Sequence, residues 1–139
     1  MAEATPFLRW REHYALGIEK IDRQHQELAG LLNLLYDTFQ SGGTRSALVP
    51  TLEQLTGDLK KHFRAEEKLM EESGYPDQHG HVADHKAMAR KLQAFEDDFK
   101  VGRADLSEAL LGELRDWFRD HLLLKDRSLG TFLAGKRRT

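Results

Sequence analysis

Four segments of this chain carry core-type residues at spacings of three and four, and this rhythm constrains the fold more than any other feature. In the first segment the positions are Ile18, Ile21, His25, Leu28, Leu32, Leu35 and Phe39. Such a spacing places all of these side chains along one face of an α-helix. The segment is therefore predicted to be a helix that buries one face against other helices.

The same rhythm recurs three times. The second series is Leu52, Leu55, Leu59, His62, Glu66 and Leu69, and the third is His81, His85, Met88, Leu92, Phe95 and Phe99. The fourth is Leu106, Leu110, Leu114, Trp117 and His121, widened by Leu111, Phe118 and Leu122. Glycine, serine and proline separate the segments and mark loops. The predicted helices span residues 18–40, 46–72, 78–101 and 105–125, and Asp105–Glu108 resembles a capping box.

Short connections make consecutive helices antiparallel. The predicted fold is therefore all-α, an antiparallel up-down-up-down four-helix bundle in a single domain of residues 1–139. Residues 1–17 form an N-terminal arm that Phe7, Leu8 and Trp10 pack onto the bundle, and residues 127–139 form a C-terminal tail.

Composition excludes several classes of function. The chain has a formal net charge of -2 and no cysteine, which argues against a nucleic-acid partner and excludes disulfides and thiol catalysis. It contains neither a signal-peptide pattern nor an apolar run long enough for an integral membrane segment. A cytoplasmic location is expected.

Six of the predicted core positions are polar, and burying a polar side chain needs a compensating partner. They are His25, His62, Glu66, His81, His85 and His121. They lie early on the odd-numbered helices and late on the even-numbered ones, so antiparallel order brings them to the same end of the bundle. A single core histidine is more often just hydrogen-bonded, but six polar core positions at one level indicate a metal centre.

The spacing of these residues suits two metal ions. His62 with Glu66, and His81 with His85, are four apart and share a helix face. Asp126 is five residues after His121, about 140° around an ideal helix, and reaches the site only if the helix distorts or ends there. If Glu66 and Asp126 both bridge, with a hydroxide between the ions, one coordination position stays open on the ion with two histidines. Imidazole suits iron, copper, zinc and nickel.

Neighbouring residues fall into two groups. The apolar side chains expected to line a dry pocket are Leu28, Phe63, Trp117, Phe118 and Leu122. By contrast, His13 and His79 are predicted to be surface residues, and Glu67, Glu71 and Glu72 are predicted to form a solvated face.

Four motifs, in order, resemble the hemerythrin family over nearly the whole chain. They are Trp10 with Gly17–His25, His62–Glu67, Tyr75–Pro76 followed by His81 and His85, and Trp117–His121 followed by Asp126. The resemblance implies two iron ions (Fe²⁺/Fe³⁺) with a bridging hydroxide or oxide. His81, His85 and His121 would hold one iron, His25 and His62 the iron with the open position, and Glu66 and Asp126 would bridge both.

The resemblance also implies reversible binding of dioxygen rather than an enzymatic activity. The expected role is storage, transport or delivery of O2 to an oxygen-consuming system, with an oxygen-consuming enzyme as a partner. Two alternatives are sensing of O2, NO or redox state, and weak di-iron oxidase or peroxidase activity. A centre rich in histidine argues against the second, because catalytic di-iron bundles use more carboxylates.

Overall fold

The computed structural model describes residues 7–10 and 14–137, and its fold is the predicted antiparallel four-helix bundle. The helices are α1 (Glu19–Gln40), α2 (Arg45–Ser73), α3 (Gln78–Lys100) and α4 (Glu108–His121). A π-helical turn (Leu122–Asp126) joins α4 to a further helix, α5 (Arg127–Arg137). The described residues contain no helix long and apolar enough to cross a membrane. The cytoplasmic location stays a prediction.

Local chemistry explains where the helices begin and end. The side chain of Thr44 accepts a hydrogen bond from the Ala47 amide at the start of α2, and Ser107 accepts one from the Leu110 amide at the start of α4. At the end of α2, Gly74 adopts a left-handed conformation with φ 68°, which glycine tolerates best. The predicted capping box is wrong: Asp105 instead pairs with Arg45 at 2.6 Å, and α4 begins three residues later.

The described part of the N-terminal arm packs onto the bundle as predicted. Leu8 is buried, and its backbone exchanges two hydrogen bonds with the Asn33 side chain on α1, at 2.6 and 2.9 Å. The ring of Phe7 stacks on Tyr36 with a centroid distance of 3.9 Å. The amides of Leu16 and Gly17 donate to the Asp22 carboxylate. These contacts fix the point at which α1 begins.

The core confirms most of the predicted helix faces but corrects two of them. On α2, Met70 is fully buried while Leu69 is only partly buried. On α4, the buried positions are Leu111, Phe118 and His121, followed by Leu122 in the π-helical turn. The apolar residues of the other predicted stripe are only partly buried, because they line an open cavity of about 650 Å³ between α3 and α4. They are Leu106, Leu110, Leu114 and Trp117.

The predicted C-terminal tail at residues 127–139 is wrong for its described part, which is helical to Arg137. Leu129 is completely buried in a second, smaller cluster with Met70 and Tyr75. Phe132 and Leu133 pack against the same cluster, so α5 presents residues at spacings of three and four to one partner surface. Burial of this face holds α5 against the end of the bundle that carries the polar core residues.

Candidate metal centre

Each helix of the bundle contributes polar side chains to one buried cluster. His25 comes from α1, His62 and Glu66 from α2, His81 and His85 from α3, His121 from the end of α4, and Asp126 from the π-helical turn. None of the seven is more than 6% exposed. The level predicted from the helix order is therefore correct. His79 is exposed as predicted, and His13 lies outside the described residues.

Within this cluster the potential ligand atoms form two overlapping groups. The larger group contains His81, His85 and His121, the smaller contains His25 and His62, and both groups include Glu66 and Asp126. In each group the nitrogen and oxygen atoms lie within 4.8 Å of one another. Two metal ions placed side by side, with both carboxylates shared, match this arrangement.

The π-helical turn places Asp126 between the two groups. A π-helix inserts one extra residue into the turn, so a side chain five residues after His121 returns to the same face. One Asp126 oxygen, Oδ1, lies 2.9 Å from Nε2 of both His81 and His121. The other, Oδ2, lies 3.0 Å from Nε2 of His25. The distortion that the spacing required is therefore present, and the carboxylate reaches both groups.

Glu66 occupies the equivalent position on the other side of the cluster. Its Oε1 lies 2.9 Å from Nε2 of His62 and 3.4 Å from Nε2 of His85, which belong to different groups. Its Oε2 lies 4.0 Å from Nε2 of His81. The two carboxylates therefore flank the same small volume, into which the ring nitrogens also point.

The donor atoms fit a cation better than they fit one another. Nε2 of His25 and of His62, and all four oxygens of Glu66 and Asp126, are buried and have no hydrogen-bond partner among the described residues. Nε2 of His85 lies 3.2 Å from Nε2 of His121, where at most one of the two can carry a proton. Buried polar groups rarely stay unpaired, and a bound positive ion would satisfy these atoms together, so the cluster fits a metal centre.

The electrostatics keep two of the imidazoles neutral and available as ligands. Burial, strengthened by repulsion from His25, lowers the pKa of His62 from 6.5 to about 3. Burial and repulsion from His121 and His81 lower the pKa of His85 to about 2. Metals bind neutral imidazole, so neither ring must lose a proton at neutral pH before it can bind one.

The two carboxyl groups respond differently to the same surroundings. Burial raises the pKa of Glu66 well above its ordinary value, and the nearby charge of Asp126 adds to this effect. Burial alone would also raise the pKa of Asp126, but polar contacts with His121, His25 and His81 bring it well below its usual range. In the absence of a cation, only one of the two carboxylates is therefore readily ionised.

Three residues that lie close to the outer ring nitrogens were not predicted from the sequence. The amide oxygen of Gln24 lies 2.8 Å from Nδ1 of His62, and Oε2 of Glu67 lies 3.0 Å from Nδ1 of His85. Oδ2 of Asp84 lies 3.4 Å from Nδ1 of His121, close enough for its charge to act on the ring but without a hydrogen bond. The placement of Glu67 in a solvated face was wrong, because its side chain turns toward α3. Each of the three directly precedes or follows a cluster residue in sequence, which is a weak signal.

Aromatic rings cover the cluster on its inner side. Phe63 stacks on His85 with a centroid distance of 3.9 Å and an interplanar angle of 9°, and Trp117 stacks on His121 at 4.8 Å and 15°. Phe118 meets His25 edge-on at 6.2 Å. These contacts orient the imidazoles and keep water away from them.

A small apolar cavity of about 10 Å³ adjoins these rings. Its walls include Leu28, Trp117 and Phe118 from the predicted pocket, together with Leu32, Leu55, Leu59 and Leu114. Phe63 and Leu122 are buried beside the cluster but do not line this cavity.

A helical bundle with a buried cluster of five histidines and two shared carboxylates defines a metal-binding protein. Residues 16–133 match the family described as Hemerythrin HHE cation binding domain. The chain belongs to the hemerythrin family, whose members bind dioxygen. This confirms the resemblance noted in its four motifs.

Relatives and solved structures agree with this membership. The chain is similar to Bacteriohemerythrin of Pseudomonas paraeruginosa (strain DSM 24068 / PA7), with 30% identity over 91% of this chain and 93% of the relative. It is similar to Bacteriohemerythrin of Methylococcus capsulatus (strain ATCC 33009 / NCIMB 11132 / Bath), with 29% identity over 81% and 86% of the two chains. The crystal structure of wild-type hemerythrin superimposes with a TM-score of 0.86 and 26% identity, over 91% of this chain and 98% of the other.

Proposed function

We propose that this protein binds dioxygen reversibly at a non-haem di-iron centre. One iron would be held by three histidines and the other by two, with two carboxylates and a hydroxide or oxide between them. The first iron would be held by His81, His85 and His121, and the second by His25 and His62. Glu66 and Asp126 would be the two carboxylates between them. The observation that carries the proposal is the pair of overlapping ligand groups that share both carboxylates.

The unequal ligand groups support the binding of one small molecule. The group that contains His25 and His62 offers one protein nitrogen fewer than the other group. An ion held there has a position left for an exogenous ligand. Two iron ions bound in the cluster would supply the electrons that dioxygen takes up on binding and returns on release.

The protein's own contribution is to exclude water and to hold the imidazoles still. Phe63 and Trp117 stack on ligand rings, and Phe118 closes the inner side near His25. Leu28 and Leu122 are almost completely buried beside them. An apolar surrounding limits the supply of protons and water that would otherwise convert a bound dioxygen into released peroxide.

The ligand set favours a carrier over an enzyme. Five imidazoles and two carboxylates supply less negative charge than the carboxylate-rich ligand sets of catalytic di-iron bundles. Less negative charge stabilises high oxidation states less, and this favours release of dioxygen over its cleavage. Such a carrier would store or transport dioxygen, or deliver it to an oxygen-consuming system such as an enzyme partner.

The proposal is tested by loading the protein with iron and recording absorption spectra before and after oxygen is admitted. About two irons per chain are expected, with a visible absorption band that appears with oxygen and disappears when oxygen is removed. His62→Ala should abolish the band because it weakens the two-histidine site. His79→Ala is the matched control, since this histidine is exposed and outside both ligand groups. An unchanged band in His62→Ala would refute the assignment.

A further inference from the structure

The two halves of the cluster differ in the groups that contact their outer ring nitrogens. In the three-histidine half, Nδ1 of His85 faces the Glu67 carboxylate at 3.0 Å, and Nδ1 of His121 lies 3.4 Å from the Asp84 carboxylate. In the two-histidine half, Nδ1 of His62 faces the neutral amide oxygen of Gln24 at 2.8 Å. Both negative outer partners therefore lie on one side of the cluster.

A metal bound at Nε2 would set the tautomer of His62 and of His85, the two rings with a hydrogen-bond partner at Nδ1. Nε2 of His62 and of His85 points into the cluster, so a lone pair is needed there and the proton lies on Nδ1. Nδ1–H of His85 then donates to Glu67, and Nδ1–H of His62 donates to the oxygen of Gln24. A carboxylate acceptor makes the opposite nitrogen a stronger donor to a metal than an amide acceptor does.

Glu67 is placed to exert this effect on His85 specifically. It lies on α2 directly after Glu66, but its side chain is only 31% exposed and reaches across to α3.

We propose that Glu67, through its contact with His85 and with the nearby charge of Asp84, makes the three-histidine half the tighter metal site. Metal then loads there first, and a one-metal form precedes the two-metal form. Glu67 and Asp84 are positioning residues that act through His85 and His121. Because Gln24 is neutral, the two-histidine half binds metal less tightly. This is the half that takes dioxygen under the proposed function. The inference rests on that proposed di-iron centre.

The test is a titration of the metal-free, full-length protein with Co²⁺ under anaerobic conditions, followed by visible absorption and calorimetry. The wild type should bind in two steps of different affinity. His121→Ala should remove the tighter step and His62→Ala the weaker one, which assigns each step to a half.

Glu67→Gln should weaken the tighter step by about tenfold to a hundredfold and leave the weaker step within about twofold. Glu67→Asp, which keeps the charge, should retain more of the affinity than Glu67→Gln does. Gln24→Glu should tighten the weaker step. Glu71→Gln is the matched control, because it removes an equal charge from an exposed position one turn further along α2. A merely structural role of Glu67 would move both steps together.

A Glu67→Gln protein that loses affinity equally in both steps, or in neither, would overturn the proposal. If this variant fails to fold, as judged by circular dichroism, Gln24→Glu decides alone, and an unchanged weaker step would overturn the proposal. Failure of the wild type to bind any Co²⁺ would instead overturn the proposed metal centre, and this inference with it.

Discussion

Acidification should destabilise the metal-free protein, because two buried histidines stay neutral in the folded state. Burial is the main cause that lowers the pKa of His62 to about 3 and that of His85 to about 2, from 6.5 in the unfolded chain. Below pH 6.5 the unfolded state therefore binds more protons than the folded state. The contribution of these two histidines to the free energy of unfolding is therefore fully present above pH 6.5. It is lost progressively as the pH drops from 6.5 toward 3.

The size of the effect follows from this difference in proton binding. Between pH 7.5 and 5.5 each histidine lowers the free energy of unfolding by about 1.4 kcal/mol, and the two together by about 3 kcal/mol. Glu66 acts in the opposite sense, because a raised pKa makes the folded state take up a proton first as the pH falls. The net loss from these three groups is therefore about 3 kcal/mol at most.

Comparison with a variant isolates the contribution of one histidine. Urea unfolding of metal-free His62→Gln at the two pH values should show a loss smaller than that of the wild type by about 1.4 kcal/mol. His79→Gln, at an exposed position, should behave as the wild type does. An equal loss in His62→Gln and wild type would show that His62 is freely protonated in the folded state, and would refute the reasoning.

Three further substitutions test packing, capping and ligand sharing. Leu129→Ala should lower the free energy of unfolding by about 2–5 kcal/mol in urea titrations, because Leu129 is completely buried. Leu124 is 68% exposed, so Leu124→Ala should change this free energy by less than about 0.5 kcal/mol. Similar losses in the two variants would contradict the packing of α5. Ser107→Ala should cost about 1 kcal/mol in thermal unfolding, because the Leu110 amide loses its acceptor, and no loss would count against this cap. Asp126→Asn should reduce iron from about two ions per folded chain to one or fewer in an elemental assay, and full iron content would show that the shared carboxylate is dispensable.

The sequence predicts the bundle and the level of the cluster because periodicity and antiparallel order are both encoded locally. His25 falls within an apolar series, and so do His81 and His85, so the helix face and the height of each follow from spacing alone. Asp126 shows the limit of this reasoning. Ideal helical geometry directs it away from His121, and the π-helical turn that redirects it has no simple signature in the residue pattern.

The features that were missed depend on contacts between helices. Glu67 looks like part of an acidic, solvated run, and only the position of α3 turns it toward His85. The sequence of α4 contains two apolar stripes that could each face the core. One of them lines the open cavity beside α3 and is therefore only partly buried. The helix α5 was not predicted, because Gly130 and Gly135 weaken the helical pattern of this segment. Burial of Leu129 against Met70 and Tyr75 stabilises the helix in the folded protein.

The central claim, reversible binding of dioxygen, is tested most directly by an oxygen balance on the iron-loaded protein through repeated cycles of oxygen pressure. No reductant is added, so any oxygen that leaves the gas phase must either be held or be consumed. The account predicts uptake of about one O2 per chain that carries two irons, and return of the same amount when the pressure is lowered. Oxygen that is taken up and not returned, or an absence of uptake, would contradict it.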